Sequence, residues 1–213
     1  MSKILRLLRT LPLAAFLLLG ACGGEQTPKQ EAGAEGRTNA HEPSTQVGEQ
    51  TPRQEAGAEG LRALMKEIRE ASIGGKTAQA AALVRGLAVT EESLAKALKD
   101  GSEEAAKKIF KGCSKIWPSS DEALARIFKK RPERTEIQVH GATTEELAAS
   151  EAKNPAVREF PGGAIEAAKT LLRPGASFYE VEFVEPGKSS GLKFHLFFHD
   201  GRQWRMLAKV WRY

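Results

Sequence analysis

Residues 61–213 predict an α+β domain, with N-terminal helices packed on a C-terminal antiparallel meander of three or four strands. Three observations predict it. Large apolar side chains are almost absent from residues 23–60, where Val47 stands alone, and begin abruptly at Leu61. In the first half of residues 61–213 they recur at spacings of three and four. Near the end they fall in three strand-like runs joined by short links. Roughly 150 residues are enough chain for one domain with its own core.

The helices come first. Leu61, Leu64, Met65 and Ile68 form one stripe. Thr77 to Gly86 is Ala-rich and leads to Leu87, and Thr90-Glu91-Glu92 opens a third helix carrying Leu94 and Leu98. Ser102 opens a fourth, with Ile109, Phe110 and Ile116, which Trp117-Pro118 stops. Ser119-Ser120-Asp121-Glu122 reads as a capping box for a fifth, striped by Leu124, Ile127 and Phe128.

The second half mixes types. Thr135 to His140 alternates, with Ile137 and Val139 inward, as a short strand does. Thr143-Thr144-Glu145-Glu146 is another capping box before a short helix, and Gly163 to Leu172 is a further helix stopped by Arg173-Pro174-Gly175. The closing strands are Ser177–Val184, Leu192–Phe198 and Arg202–Trp211. For the last hairpin, Asp200-Gly201 suggests a two-residue turn, and His199-Asp200-Gly201 a three-residue loop. The second is preferred, because it pairs Leu196 with Trp204 and Phe194 with Met206 and keeps the apolar rows together. The helix-then-meander ending is similar to nuclear-transport-factor-2-like domains. That resemblance implies a curved sheet able to line a ligand cleft.

Upstream of the domain lie two different segments. Residues 1–21 run from a basic start (Lys3, Arg6, Arg9) through the apolar stretch Leu11–Leu19 to the small residues Gly20 and Ala21. This is the order of a cleaved secretory signal, and the apolar stretch is too short to span a bilayer. Leu19-Gly20-Ala21-Cys22 resembles the lipobox of bacterial lipoproteins. The resemblance implies cleavage before Cys22, lipid on that cysteine, and a membrane as partner through it. Gly23 in place of Asp resembles the outer-membrane-sorted class, which implies a cell-envelope address facing the periplasm or the cell surface. Residues 22–60 then read as the lipidated cysteine and a disordered tether. Within it Gly24–Gly36 recurs as Gly48–Gly60 with the single change Lys29 to Arg53, a duplicated spacer.

Charge and cysteine count follow from this division. Loss of Lys3, Arg6 and Arg9 lowers the formal net charge from +5 to +2. The remaining basic excess is mild and lacks a dense Lys/Arg block with interleaved aromatics, so nucleic acid is not expected as a partner. With Cys22 lipidated, Cys113 is alone and no intramolecular disulfide is expected. It reads as a half-buried helix residue, with a reactive thiol or an intermolecular bridge as the alternative.

Gly74-Gly75-Lys76-Thr77 looks like the tail of a phosphate loop, but Glu70 stands where the first glycine belongs and a helix precedes it. It reads as a helix-ending glycine pair. His195 and His199 lie about 13 Å apart along a strand, too far to share a metal, although His140 can approach in space. Glu180, Glu182, Lys193, His195, Arg205 and Lys209 fall on the sheet face opposite the apolar rows, with Phe197, Leu207 and Trp211. The candidate ligand-binding residues are Glu180, Glu182, His195, Arg205 and Trp211; no catalytic set, metal set or cofactor motif is found. The expected function is therefore a membrane-anchored, non-enzymatic binding or envelope-associated domain, with an envelope protein or glycan as partner. A ligand binder or enzyme working on that sheet face is the alternative.

Overall fold

The computed structural model describes residues 53–129, 131–149 and 153–212. The signal segment, the lipobox with Cys22 and most of the tether lie outside the described residues. Five helices come first: α1 (Gly57–Ile73), α2 (Thr77–Gly86), α3 (Glu91–Ala97), α4 (Glu103–Ser114) and α5 (Asp121–Ala125). Strand β1 (Glu136–Thr143) is followed by α6 (Thr144–Ala149), a 3-10 turn (Pro155–Glu159) and α7 (Gly162–Thr170). Then come β2 (Ser177–Val184), β3 (Leu192–His199), β4 (Trp204–Met206) and a closing 3-10 turn (Val210–Arg212). The strands form one four-stranded sheet in the order β1-β2-β3-β4, every neighbour antiparallel. This is the α+β arrangement expected. Among the described residues no helix is long and apolar enough to cross a membrane.

Local chemistry places the helix ends. Thr90 and Ser93 form a reciprocal capping box at α3, and Ser120 Oγ accepts from Ala123 N at α5. At α6, Thr143 N donates to Glu146 Oε2 at 2.7 Å and Glu146 N donates to Thr143 Oγ1 at 3.2 Å. Gly74 and Gly75 end α1, the latter at φ +75°, a value that suits glycine.

Residues 54–60 belong to the domain rather than to the tether. Gln54 N donates to Arg202 O at 2.9 Å, and Gln54 Oε1 accepts from Trp204 N at 2.8 Å. Trp204, itself fully buried, donates its indole N–H to Glu55 O at 2.9 Å. The helix begins at Gly57, four residues before the first apolar stripe residue.

Both faces of the sheet are covered. Ile137, Val181, Phe183, Phe197 and Trp204 pack in one cluster with Leu61, Met65, Ile68, Val84 and Leu124 from α1, α2 and α5. Ala142, Phe178, Leu196 and Phe198 pack in a second cluster with side chains of α3, α4, α6 and α7. Strict alternation along β3 is broken by a bulge. Tyr179 faces Phe197 but Val181 faces Phe194, so β3 carries one extra residue, and Leu196 sits at φ +55°. Phe194 and Phe197 consequently face the first layer and Leu196 and Phe198 the second. The single row Leu192, Phe194, Leu196, Phe198 does not form.

The β3–β4 register also differs from both sequence readings. His199 pairs with Trp204, Phe198 with Arg205 and Phe197 with Met206, leaving a four-residue loop, Asp200–Gln203. The cause is the Asp200 side chain. Its Oδ1 accepts from Arg202 N and Gln203 N, both at 2.9 Å, while Asp200 N donates to Gln203 O at 3.0 Å. Asp200 Oδ2 accepts from Arg205 Nε at 2.8 Å, and Arg205 Nη1 donates to Gly86 O at 2.9 Å and Ala88 O at 2.7 Å. The hairpin is thus tied to the end of α2.

Burial works against the Asp200 charge, but the two backbone N–H groups and the Arg205 guanidinium outweigh it and hold the carboxyl below its ordinary value of 3.8. A lowered folded value means stability that is fully present above the unfolded value and lost as pH falls through the folded one. Asp200→Asn is expected to cost about 2 kcal/mol at neutral pH. In urea unfolding at a series of pH values, the gap to the parent protein should close as pH drops below 3.8.

Candidate functional site

The second sheet face is apolar at one end and polar at the other. Ala142, Phe178 and Phe198 fill the first end. One residue pair further along, His140 on β1 lies opposite Glu180 on β2; next, Gln138 lies opposite Glu182, which faces Lys193 on β3. Period-2 alternation puts these side chains on the face away from Tyr179, Val181 and Phe183. Glu180 is fully buried and Glu182 is 2% exposed.

Each buried carboxylate is answered locally. Glu180 Oε2 accepts from His195 Nδ1 at 2.5 Å and Oε1 accepts from Leu196 N at 3.3 Å. The bulge aims both donors at it. Burial pushes the Glu180 carboxyl up, against the pull of His195 and the Leu196 N–H. Trp211, in the closing turn, meets the His195 ring edge-on at 5.9 Å. Glu182 accepts from Gly191 N and lies 3.5 Å from Lys193 Nζ. Lys193 Nζ also reaches Glu159 Oε2 at 2.6 Å. Burial pulls the ammonium down, but its bonds to Glu159 and Glu182 outweigh this and hold it above the usual lysine value. The hydrogen bond from Lys193 holds the Glu159 carboxyl low.

Beside this network is a cavity of about 270 Å³. It arises because β4 pairs only with Phe197–His199, after which the chain turns away at Ala208, at φ +52°. Its wall carries Lys193, His195, Lys209 and Arg212 around Phe194, Met206 and Ala208, with the half-exposed Ile116 at the rim. Among the described residues its lining holds no carboxylate.

Four of the five candidate residues therefore gather: Glu180, Glu182, His195 and Trp211 share this end of the sheet. Arg205 does not. Its guanidinium is spent on Asp200, Gly86 O and Ala88 O. His195 and His199 face opposite layers, since the bulge lies between them; His199 Nε2 donates to Gln54 O at 3.0 Å and its ring packs on Trp204. The residues that sequence reasoning left out of the set are His140, Glu159 and Lys193. Strand alternation signals the first and last, but nothing local signals Glu159, which reaches the sheet from the turn after α6.

Comparison with protein-family models, curated proteins and solved structures finds no match to this chain. Function rests on the site alone.

Cys113 is fully buried, with Sγ 3.5 Å from Leu207 O, and burial pushes its thiol up to about 11. That is the environment of an inert structural cysteine rather than a reactive or bridging one.

Removing one partner of a buried hydrogen bond leaves the other group unsatisfied. His195→Ala is expected to destabilise the domain by about 2 kcal/mol. In a double-mutant cycle, Glu180→Ala and His195→Ala should be coupled by at least about 1 kcal/mol. Additive losses in denaturant unfolding would show that the pair does not organise this face.

Proposed function

We propose that this chain is a lipoprotein of the bacterial cell envelope, held on a membrane through lipid on Cys22, whose domain binds a small anion carrying an apolar part. The anchor is supported by the order of residues 1–22: basic start, apolar stretch, small residues, cysteine. One observation carries the binding reading. The cavity beside β3 is lined by four cationic or proton-accepting side chains, Lys193, His195, Lys209 and Arg212, around the apolar Phe194, Met206 and Ala208. The arginine fork suits carboxylate or phosphate oxygens, and lysine adds a point charge. Exposed cations alone bind an anion weakly, so the apolar floor supplies the remaining affinity. A cavity of about 270 Å³ suits a small group rather than a polymer. Fatty carboxylates and anionic lipid headgroups share this chemistry.

The two sources separate experimentally. Octanoate is titrated by calorimetry into the full chain with Cys22 replaced by Ser, and the same protein is floated with phosphatidylglycerol or phosphatidylcholine vesicles. Octanoate binding marks a free carboxylate; selective flotation with phosphatidylglycerol marks a headgroup. In either case Lys209→Glu with Arg212→Glu should weaken binding at least tenfold. Absence of both interactions, or indifference to the charge reversals, overturns the reading.

The anchor is tested separately. Cys22→Ala should abolish incorporation of labelled fatty acid and release the exported chain from the membrane fraction. Continued labelling of that variant would sink the lipobox assignment.

A further inference from the structure

Three side chains from three elements converge next to the Glu180–His195 pair. His140 comes from β1, Glu182 from β2 and Glu159 from the end of the 3-10 turn, and one ligand atom from each lies within 4.8 Å of the others. The turn is fixed over the sheet by Asn154, whose Nδ2 donates to Gly141 O at 3.2 Å. A second observation is independent of the carboxylates. Nε2 of His140 is buried and has no hydrogen-bond partner among the described residues. A buried imidazole nitrogen left in that state is costly, and such groups in folded proteins usually have a reason.

We propose that His140, Glu159 and Glu182 form a binding site for one divalent transition-metal ion of the zinc class. One imidazole and two carboxylates make a mixed nitrogen and oxygen set, which suits zinc better than calcium or magnesium. With bonds of about 2.0–2.2 Å, tetrahedral ligands stand about 3.4 Å apart, so the three groups need to draw in by at most about 1.4 Å. The fourth position is left to water. The two carboxylates now share the ammonium of Lys193, at 2.6 Å from Glu159 and 3.5 Å from Glu182. A divalent ion neutralises both carboxylates, whereas the single charge of Lys193 leaves one in excess. Lys193 is 30% exposed and already lines the neighbouring cavity, so its long stem can carry the displaced ammonium there. The ammonium is thus the competitor for the metal. This goes beyond the anion-binding reading and does not depend on it.

The test uses Zn²⁺ alone, titrated by calorimetry into the mature chain in detergent, with Co²⁺ absorption as a second readout. One ion per chain is expected. His140→Ala and Glu159→Gln should each weaken it at least tenfold, and both positions lie outside the fully buried core. Lys193→Met should tighten it several-fold, an effect that loss of structure does not produce. Absence of binding in both the parent and Lys193→Met overturns the proposal. So does binding unchanged in folded His140→Ala and Glu159→Gln, because the ion then sits elsewhere, for example on His41 or His199.

Discussion

Glu180 sets the terms for this domain. A carboxylate with no exposure, in the middle of a sheet covered on both faces, is tolerated only if charge and hydrogen bonds reach it on the spot. An unbroken β3 would commit its N–H groups to the ladder. The bulge gives Glu180 two donors, His195 Nδ1 and Leu196 N, at the cost of a leucine in the left-handed region. Leu196 then turns into the second core cluster, which is compensation for its strained backbone. Trp211 closes against His195 from above. It fits because α7 begins with Gly162-Gly163: a Cβ on Gly163 would lie 2.4 Å from the indole ring. One buried carboxyl thus links a bulge, a histidine, a glycine and the seat of the C-terminal turn.

That dependence explains what the sequence made legible. Local chemistry announced the caps at Thr90 and Thr143, the glycine break at Gly74-Gly75 and the stripe from Leu61 to Ile68, because each is decided within a turn or two of chain; at α5 the cap is Ser120 on Ala123 N rather than a Ser119–Glu122 box. The membership of Glu180, Glu182 and His195 in one face followed from period-2 alternation, and that held up to the bulge. Beyond the bulge alternation misleads. The bulged residues are bound by Glu180, sixteen residues from Leu196 and on another strand, so a pattern read along β3 alone assigns Phe194 and Leu196 to one face. The hairpin register failed for a similar reason. Turn propensity offered Asp200-Gly201 as a two-residue turn and the apolar rows favoured a three-residue loop, whereas the Asp200 carboxylate capping two N–H groups and tying Arg205 to α2 stabilises a four-residue loop.

The duplicated segment shows the same dependence on distant partners. Gln54-Glu55 stands in the second copy and Gln30-Glu31 in the first, with identical neighbours on both sides but for Arg53 and Lys29. Nothing else within the repeat distinguishes them. Residues 54–60 join the domain through the apolar stripe beginning at Leu61, and through the partners Arg202 and Trp204 that meet Gln54 and Glu55 from the last hairpin. Polar composition alone does not make residues 54–60 a spacer, because partners distant in sequence seat them.

Lys193 joins the two halves of the polar end. On one side it is the counter-ion of Glu159 and Glu182; on the other it contributes positive charge to a cavity shared with Lys209 and Arg212. These roles oppose each other, because an ammonium held 2.6 Å from a carboxylate presents little net charge to the cavity. The cavity is then most attractive to an anion when Lys193 is released from the carboxylates. Protonation of Glu159 is a poor way to release it, since the bond to Lys193 holds that carboxyl low. A second cation between Glu159 and Glu182 is the more effective one. The two carboxylates and the basic cavity therefore share one charge, and Lys193 sets the balance between them.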